Sequence, residues 1–595
     1  MLARASRRRR SRAIAAAGAA TIVLLAAAPG HGADWAWGDV NARLDSFASV
    51  SASIATDDPD CRRVGAQNPG ACSKTDLATQ GDVINSDDGD LNWEEGDVFS
   101  VLFQATHELD LRWRDHGAFV RATYFADVIQ ADQSSGQRTA LEDDARFRGG
   151  ILEGGVVGAQ FLLLDAYGYA TFEAANRLFD VRAGNQVVNW GESTFTQGGI
   201  NATNTLDVAR LRLAGSELRE GLLPAPLVRL SGELFAGIGF DVYYQLAWRQ
   251  TQVDPVGTFF STNDLVGRGA QGFFTPPLGP DGVGDPGSSG LSAKQIFDLG
   301  FAAGGAPRAG DADARDQGQW GAALRYYVDA LETEFGAYYL RLHAKNPSVG
   351  FRGACPEGVV GAICLLQPRV VRYFREFPED IDLVGVSFNT VLAGVSFAGE
   401  VSFRPNEPVP ITSALPDLST AILDGAPGGR EQGYRREERI LAILNAVYVM
   451  GPGAPVLGAV LPFIGASELT LVGEAALESF PDLSNDASYA LPLGESDLDD
   501  EAVSYTLRMD LRYDRVFGTA VGVTPSATFR HDVYGTHPGN GSLFTEDVKT
   551  VAVQLELNYQ ERWELVLSYQ DQFGAGRSNP NNDRDFASIK LSRAF

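Results

Sequence analysis

The chain has 595 residues, 49 basic against 76 acidic side chains, and a net charge of −27. That acidic balance excludes nucleic acid as a partner, because phosphates need basic side chains. Length alone does not divide the chain into domains, since β-barrels grow as single units.

Residues 1–33 read as a signal peptide. Arg4, Arg7, Arg8, Arg9, Arg10 and Arg12 form a basic start, and Ile22-Val23-Leu24-Leu25 is the apolar centre of an uncharged, Ala-rich stretch. An N-terminal membrane anchor is the alternative, opposed by the shortness of the stretch and by Pro29-Gly30. Cleavage after Ala33 would remove six arginines and take the net charge from −27 to −33.

Four cysteines follow as two close pairs, Cys61 with Cys72 and Cys355 with Cys364. An exported chain meets an oxidising compartment, so two local disulfides are expected among the three connectivities that four cysteines allow. A zinc site is the other reading, but no histidine stands near either pair in sequence.

Two-residue alternation recurs along the rest of the chain. Val503, Tyr505, Leu507, Met509 and Leu511 alternate with Ser504, Thr506, Arg508, Asp510 and Arg512. Successive side chains of a strand point to opposite faces, so each such run has one apolar and one polar face. Strands are expected near 42–55, 97–113, 117–127, 161–173, 179–190, 228–236, 239–250, 319–329 and 332–343. Nine more are expected near 382–391, 394–404, 437–449, 466–479, 502–514, 518–530, 548–560, 563–571 and 585–595.

Soluble sandwiches also alternate, so the connections carry the fold class. Short links such as Asp115-His116, Gly237-Ile238 and Glu561-Arg562 take turns with long ones such as 56–96, 191–227 and 251–318. Runs of about ten residues with short turns on one side and long loops on the other fit an all-β transmembrane antiparallel barrel of about 16–18 strands. The short turns would be periplasmic and the long loops extracellular. Residues 450–467 break that rule, being long, apolar and interrupted by Pro452, Pro455 and Pro462 on the short-turn side.

The last strand puts Ala587, Ile589, Leu591 and Phe595 on one face. A terminal aromatic after an alternating strand resembles the signal read by the barrel assembly machinery; Arg593 departs from it, where an apolar residue is usual. An arginine at the rim can still reach head groups or water.

Several stretches resemble one family. They are Asn85-Ser86-Asp87-Asp88-Gly89-Asp90-Leu91-Asn92, Asn185-Gln186-Val187-Val188-Asn189-Trp190-Gly191-Glu192-Ser193, Gly199-Ile200-Asn201, Ser216-Glu217-Leu218-Arg219-Glu220 and Gly257-Thr258-Phe259-Phe260-Ser261-Thr262-Asn263-Asp264. They look like the family catalogued as domain of unknown function 1302. The resemblance implies a Gram-negative outer-membrane protein of residues 34–595, without a settled activity. By association it also implies exporters or periplasmic lipid carriers as partners and the handling of hydrophobic compounds.

On the expected parity, Arg112, Arg121, Arg182, Arg249, Arg325, Arg508, Arg512 and Arg530 point into the lumen, as do Glu108, Asp110, Asp127, Asp241, Glu400 and Asp510. Such charges either set a field across a solute path or stiffen the wall as salt bridges. Residues 191–227 are too polar and long for a turn, and they either fold inward as a constriction or plug or form an outer loop. The candidate residues there are Trp190, Gly191, Glu192, Asn201, Asn204, Asp207, Arg210, Glu217 and Glu220. Phe259, Phe260, Phe273 and Phe274 either meet an apolar solute at the mouth or pack the loop itself.

Neither a catalytic set nor a cofactor is expected. Ser193 does not sit in a nucleophile elbow, and no metal-ligand spacing occurs. The clusters Asp57-Asp58-Pro59-Asp60 and Asp87-Asp88-Gly89-Asp90 lack EF-hand spacing and read as solvated acidic loops, with bound calcium as the alternative. The expected role is a channel for small hydrophobic or amphipathic molecules, surrounded by outer-membrane lipid. A structural or partner-binding barrel serving an export or lipid-trafficking assembly is the alternative.

Overall fold

The computed structural model describes residues 32–65, 83, 85–131, 159–212, 221–235, 237–270, 272–274, 305–367, 369–411, 415–454, 458–481, 483, 489–490, 492, 497–538 and 544–595. The signal-peptide stretch up to residue 31, Cys72, Glu217 and Glu220 lie outside them.

Among the described residues, the strands of four residues or more are, in chain order, β1 (Ala33–Trp37), β2 (Val40–Ala55), β3 (Val98–Trp113), β4 (His116–Asp127), β5 (Ala159–Ala174), β6 (Arg177–Gln186), β7 (Ala225–Phe235) and β8 (Ile238–Gln245). Then come β9 (Trp320–Val328), β10 (Thr333–Leu342), β11 (Ser348–Ala354), β12 (Val371–Glu376), β13 (Ile381–Leu392), β14 (Val395–Pro410), β15 (Gly428–Glu431) and β16 (Tyr434–Met450). The last are β17 (Glu468–Ser479), β18 (Glu501–Arg512), β19 (Val521–Tyr534), β20 (Lys549–Tyr559), β21 (Trp563–Phe573) and β22 (Phe586–Ala594).

Eighteen of these close a transmembrane antiparallel barrel, each strand pairing with its neighbours in sequence. The cap strands β11, β12 and β15 stand apart, and β1 only lies along the start of β2. Closure comes from β2 against β22, with Phe47 opposite Ala594 and Ala55 opposite Phe586. Full closure leaves no unpaired edge, which a sheet in lipid requires.

The alternation explains the two faces. Val384, Val386, Val401, Leu444, Leu507, Leu567 and Ile589 are exposed and point outward, as an apolar belt. Ser387, Glu400, Asn445, Arg508, Ser568 and Lys590, each one residue further or back, point into the lumen. Exposed apolar side chains over many strands are stable only against lipid.

Tight hairpins form one rim. Arg114, Ala175, Asn176, Ala393, Gly394, Gln560 and Glu561 all have positive φ, as primed two-residue turns and their longer relatives demand. The other rim carries the long connections. There β11, β12 and β15 make a three-stranded sheet covered by α1 (Leu415–Leu423). Its core holds Phe351, Tyr373, Leu418 and Ile422, with the disulfide Cys355–Cys364 beside them.

Candidate functional site

The connection from β6 to β7 begins with a neck. Asn204 accepts the backbone N–H of Val188 at 2.9 Å and donates to its carbonyl at 2.5 Å. Asn201 donates to Asn189 at 2.9 Å and accepts from Asn204 at 3.1 Å. Between those ends, residues 189–203 run along the inner wall from β8 to β17.

Trp190 anchors one side. Its indole N–H donates to Asp241 of β8 at 2.8 Å, and Asp241 is held in turn by Arg229 of β7. The ring packs 5.1 Å from Tyr243 and 6.0 Å from Tyr338, in a buried apolar cluster with Val188, Ile200, Leu227, Leu340 and Leu383. Thr203 adds a hydroxyl bond to Tyr243 at 2.9 Å.

Two wall carboxylates hold the middle by its backbone. Glu400 of β14 accepts the N–H of Glu192 at 2.6 Å and of Ile200 at 2.9 Å. Glu474 of β17 accepts from Thr194 at 2.6 Å, Phe195 at 3.1 Å and Thr196 at 2.6 Å. The carbonyl of Gly198 accepts from Arg404 at 2.9 Å and Arg439 at 3.0 Å. Asn445 donates to the carbonyl of Glu192, and Lys345 to that of Ala202. Bonds between a charged group and a backbone amide contribute about 1.5–3 kcal/mol each.

Glu192 itself accepts from Asn389 at 3.2 Å and Ser387 at 3.4 Å. Burial pushes its carboxyl above the usual range, the Asn389 bond opposes this, and the nearby charge of Glu400 adds to it. Further along, Asp207 caps the short helix Val208–Leu211 through the N–H of Arg210 at 3.0 Å. The guanidinium of Arg210 lies 4.8 Å from the ring centre of Phe125 on β4.

The opposite arc of the wall is lined by space. Near the long-loop end, a cavity of about 280 Å³ is bounded by Leu211, Phe260, Arg508, Gln554, Gln570 and Phe586. Near the short-turn end, one of about 120 Å³ is bounded by Gln104, Glu108, Arg121, Glu564, Lys590 and Ser592. Polar side chains, Arg508, Arg121 and Lys590 among them, thus border open space on this arc.

Residues 13–595 match one family model throughout. The chain belongs to the family described as protein of unknown function, DUF1302. A search of the curated proteins finds no match. Among solved structures, OccK2 (OpdF) of Pseudomonas aeruginosa is similar at 11% identity and a TM-score of 0.37, over 93% of this chain and 97% of that one. A BenF-like porin from Pseudomonas fluorescens Pf-5 gives 9% and 0.37, over 93% and 98%. The outer membrane channel DcaP of Acinetobacter baumannii gives 9% and 0.34, over 96% and 100%. These values are too low to transfer any residue's role.

In this DUF1302 chain the signature stretches at 185–193 and 199–201 meet at Glu400. A Cβ on Gly191 or on Gly199 would overlap the carboxylate of Glu400, so both glycines are needed where the segment touches β14. The 85–92 and 257–264 stretches also join. Asn92 and Trp93 donate to the carbonyl of Gly257 at 3.0 and 3.3 Å, and Asp264 donates to that of Asn85 at 2.9 Å. A Cβ on Gly89 would overlap the carbonyl of Ser261.

The predicted wall charges are mostly paired. Arg112 bonds Asp110 at 2.6 Å, Arg121 bonds Glu108 at 2.8 Å and Asp165 at 3.0 Å, and Arg508 bonds Asp510 at 2.9 Å. Arg512 bonds Asp514 at 2.9 Å and Arg530 bonds Asp532 at 3.0 Å. Arg182 stands 5.5 Å over Tyr167, and Arg325 lies beside Tyr338 on β10. Asp127 ends β4, accepting from Ser100 at 2.5 Å and from Ile129 and Gln130 at 2.9 and 3.0 Å.

Several expectations need correction. Arg249 is not on a strand: β8 stops at Gln245, and Arg249 donates to the carbonyl of Pro224 at 3.2 Å. Likewise β6 stops at Gln186, so Trp190 belongs to the inner segment. The acidic loop is not simply solvated, since Asp87 and Asp90 are buried and Asp90 pairs with Arg584. Carboxylate oxygens of Asp87, Asp88 and Asp264 lie within 4.8 Å of one another. Phe259 packs 4.0 Å from Phe99 in a buried cluster with Trp93 and Phe586, which is loop packing, whereas Phe260 also borders the cavity. Glu474, Asn445, Arg404, Arg439 and Lys345 were not singled out by the sequence, although the first four are polar or charged side chains at inward parity on their strands.

Proposed function

We propose that this protein is an outer-membrane channel for small amphipathic molecules, narrowed by residues 188–212. The observation that carries the reading is the row of backbone amides from Glu192 to Ile200 bonded to Glu400 and Glu474. Side chains of the wall that bond a loop's backbone fix its path, and a fixed path makes a constriction of defined width. The apolar belt around the closed barrel supports the outer membrane as its location.

Solute chemistry follows from the open arc. Leu211, Phe260 and Phe586 share one cavity with Arg508, Gln554 and Gln570. An apolar body with a polar or anionic end suits such a lining better than an ion or a sugar does. Planar bilayers test the reading: the purified protein gives discrete conductance steps, and Glu400→Ala with Glu474→Ala enlarges them. Failure of the purified barrel to conduct, with no flux of any amphipathic solute into vesicles, would sink it.

A further inference from the structure

The short-turn rim has two connections unlike the rest. Six connections span two to four residues, whereas 451–467 and 513–520 are longer. These two stand side by side, because β17 pairs with β18. They are also tied together. Ser467 donates its N–H to the carbonyl of Arg512 at 2.7 Å, and its hydroxyl accepts the N–H of Asp514 at 3.1 Å.

Residues 451–466 contain no ionisable side chain. A turn at Gly458–Val460 leads into the short helix Leu461–Ile464, and Gly465 reverses the chain with φ 76°. Leu461 and Ala466 are buried, while Val460, Ile464 and above all Phe463, 92% exposed, are not. In the neighbouring connection Phe517 is 100% exposed and holds φ 54°, a left-handed conformation unfavourable for a bulky residue. Four large apolar side chains on one sector of a rim are not accounted for by packing within the chain.

Their position says what covers them. Met450 has the outward parity of Leu444, and it is completely buried at the end of β16. The residues that follow it therefore continue the outer apolar belt rather than the lumen. We infer that the 458–464 and 515–518 connections lie in the inner leaflet of the outer membrane, with Phe463 and Phe517 inserted among phospholipid acyl chains. An uncharged segment with a short helix and exposed aromatics, beside Arg515 at head-group level, is the chemistry of an interfacial element. A periplasmic protein with an apolar pocket would instead leave these residues in water when lipid alone is present.

This inference rests on the barrel spanning a membrane. Nitroxide labels on Phe463→Cys and Phe517→Cys test it, in the full protein reconstituted in phosphatidylethanolamine–phosphatidylglycerol vesicles. Leu507→Cys, on the outward face, reports insertion, and Asp115→Cys, in a two-residue turn, reports water. The expected result is a several-fold loss of collision with an aqueous nickel chelate at 463 and 517 relative to 115, with oxygen access like that at 507. Lipid exposure at 507 together with water exposure at 463 and 517 overturns the inference and leaves the barrel reading standing. Water exposure at 507 overturns both.

Discussion

Glu400 accepts the backbone N–H of Ile200 at 2.9 Å, and it can do so only because residue 199 is glycine. A Cβ there would overlap the carboxylate, and Gly191 meets the same group from the other end of the turn. Gly199→Ala should therefore detach the segment from β14 rather than unfold the barrel. The two Glu400 bonds would be lost or lengthened, a cost of about 1–3 kcal/mol for a charge left without partners. Protease cleavage between 191 and 204, with an unchanged melting of the strands, is the expected readout. Conductance becomes larger and noisier.

Glu474 offers a separate handle on the same segment. It accepts three consecutive amides, from Thr194 to Thr196, and no glycine constrains that contact. Glu474→Gln keeps one acceptor oxygen and should behave between wild type and Glu474→Ala. If the alanine variant kept wild-type conductance and protease resistance, the segment would not depend on this anchor.

Much of this fold is legible from alternation alone. All eighteen barrel strands fall where period-two runs place them, because a lipid-facing side and a wet side impose opposite polarity. The misplacements are at Trp190 and Arg249. Leu246 and Trp248 keep the alternating pattern past the end of β8, whereas Val188 and Trp190, beyond β6, fall on the parity of the inward Arg182. Their apolar side chains are explained by other surfaces: Trp190 packs on Tyr243 and Tyr338, and Trp248 lies 4.7 Å from Phe377. Periodicity cannot tell lipid from a protein lining. Nor can it reveal that Glu400 and Glu474, far apart in sequence, receive amides of one loop.

The disulfide lends itself to an independent test. Cys355 and Cys364 enclose a short loop beside the cap sheet, with the N–H of Cys355 on the carbonyl of Pro427 at 2.9 Å. Replacing both by serine should cost the cap about 2–3 kcal/mol. The cap has its own core around Phe351 and Tyr373. Hydrogen exchange should therefore quicken in β11, β12 and β15 while the barrel strands keep their protection. Equal loosening of β9 and β10 would mean that cap and barrel unfold as one unit.

Lys345 gives the inner segment a pH dependence. Burial, with the charge of Arg404 adding to it, lowers the amine from 10.5 to about 7. Between those values the unfolded chain binds a proton that the folded protein does not. Stability is lowered by this group at neutral pH, and the penalty fades as pH rises toward 10.5. Below about 7 the penalty is complete and constant. The neutral amine still donates to the carbonyl of Ala202, so the contact itself survives throughout. Lys345→Met should remove the penalty and lose the bond. Its unfolding midpoint should rise less than that of wild type between pH 7 and 10, a window set by the two ends of the shift. Thermal melts of both proteins across that window decide it, and parallel curves would show that Lys345 stays charged against Ala202.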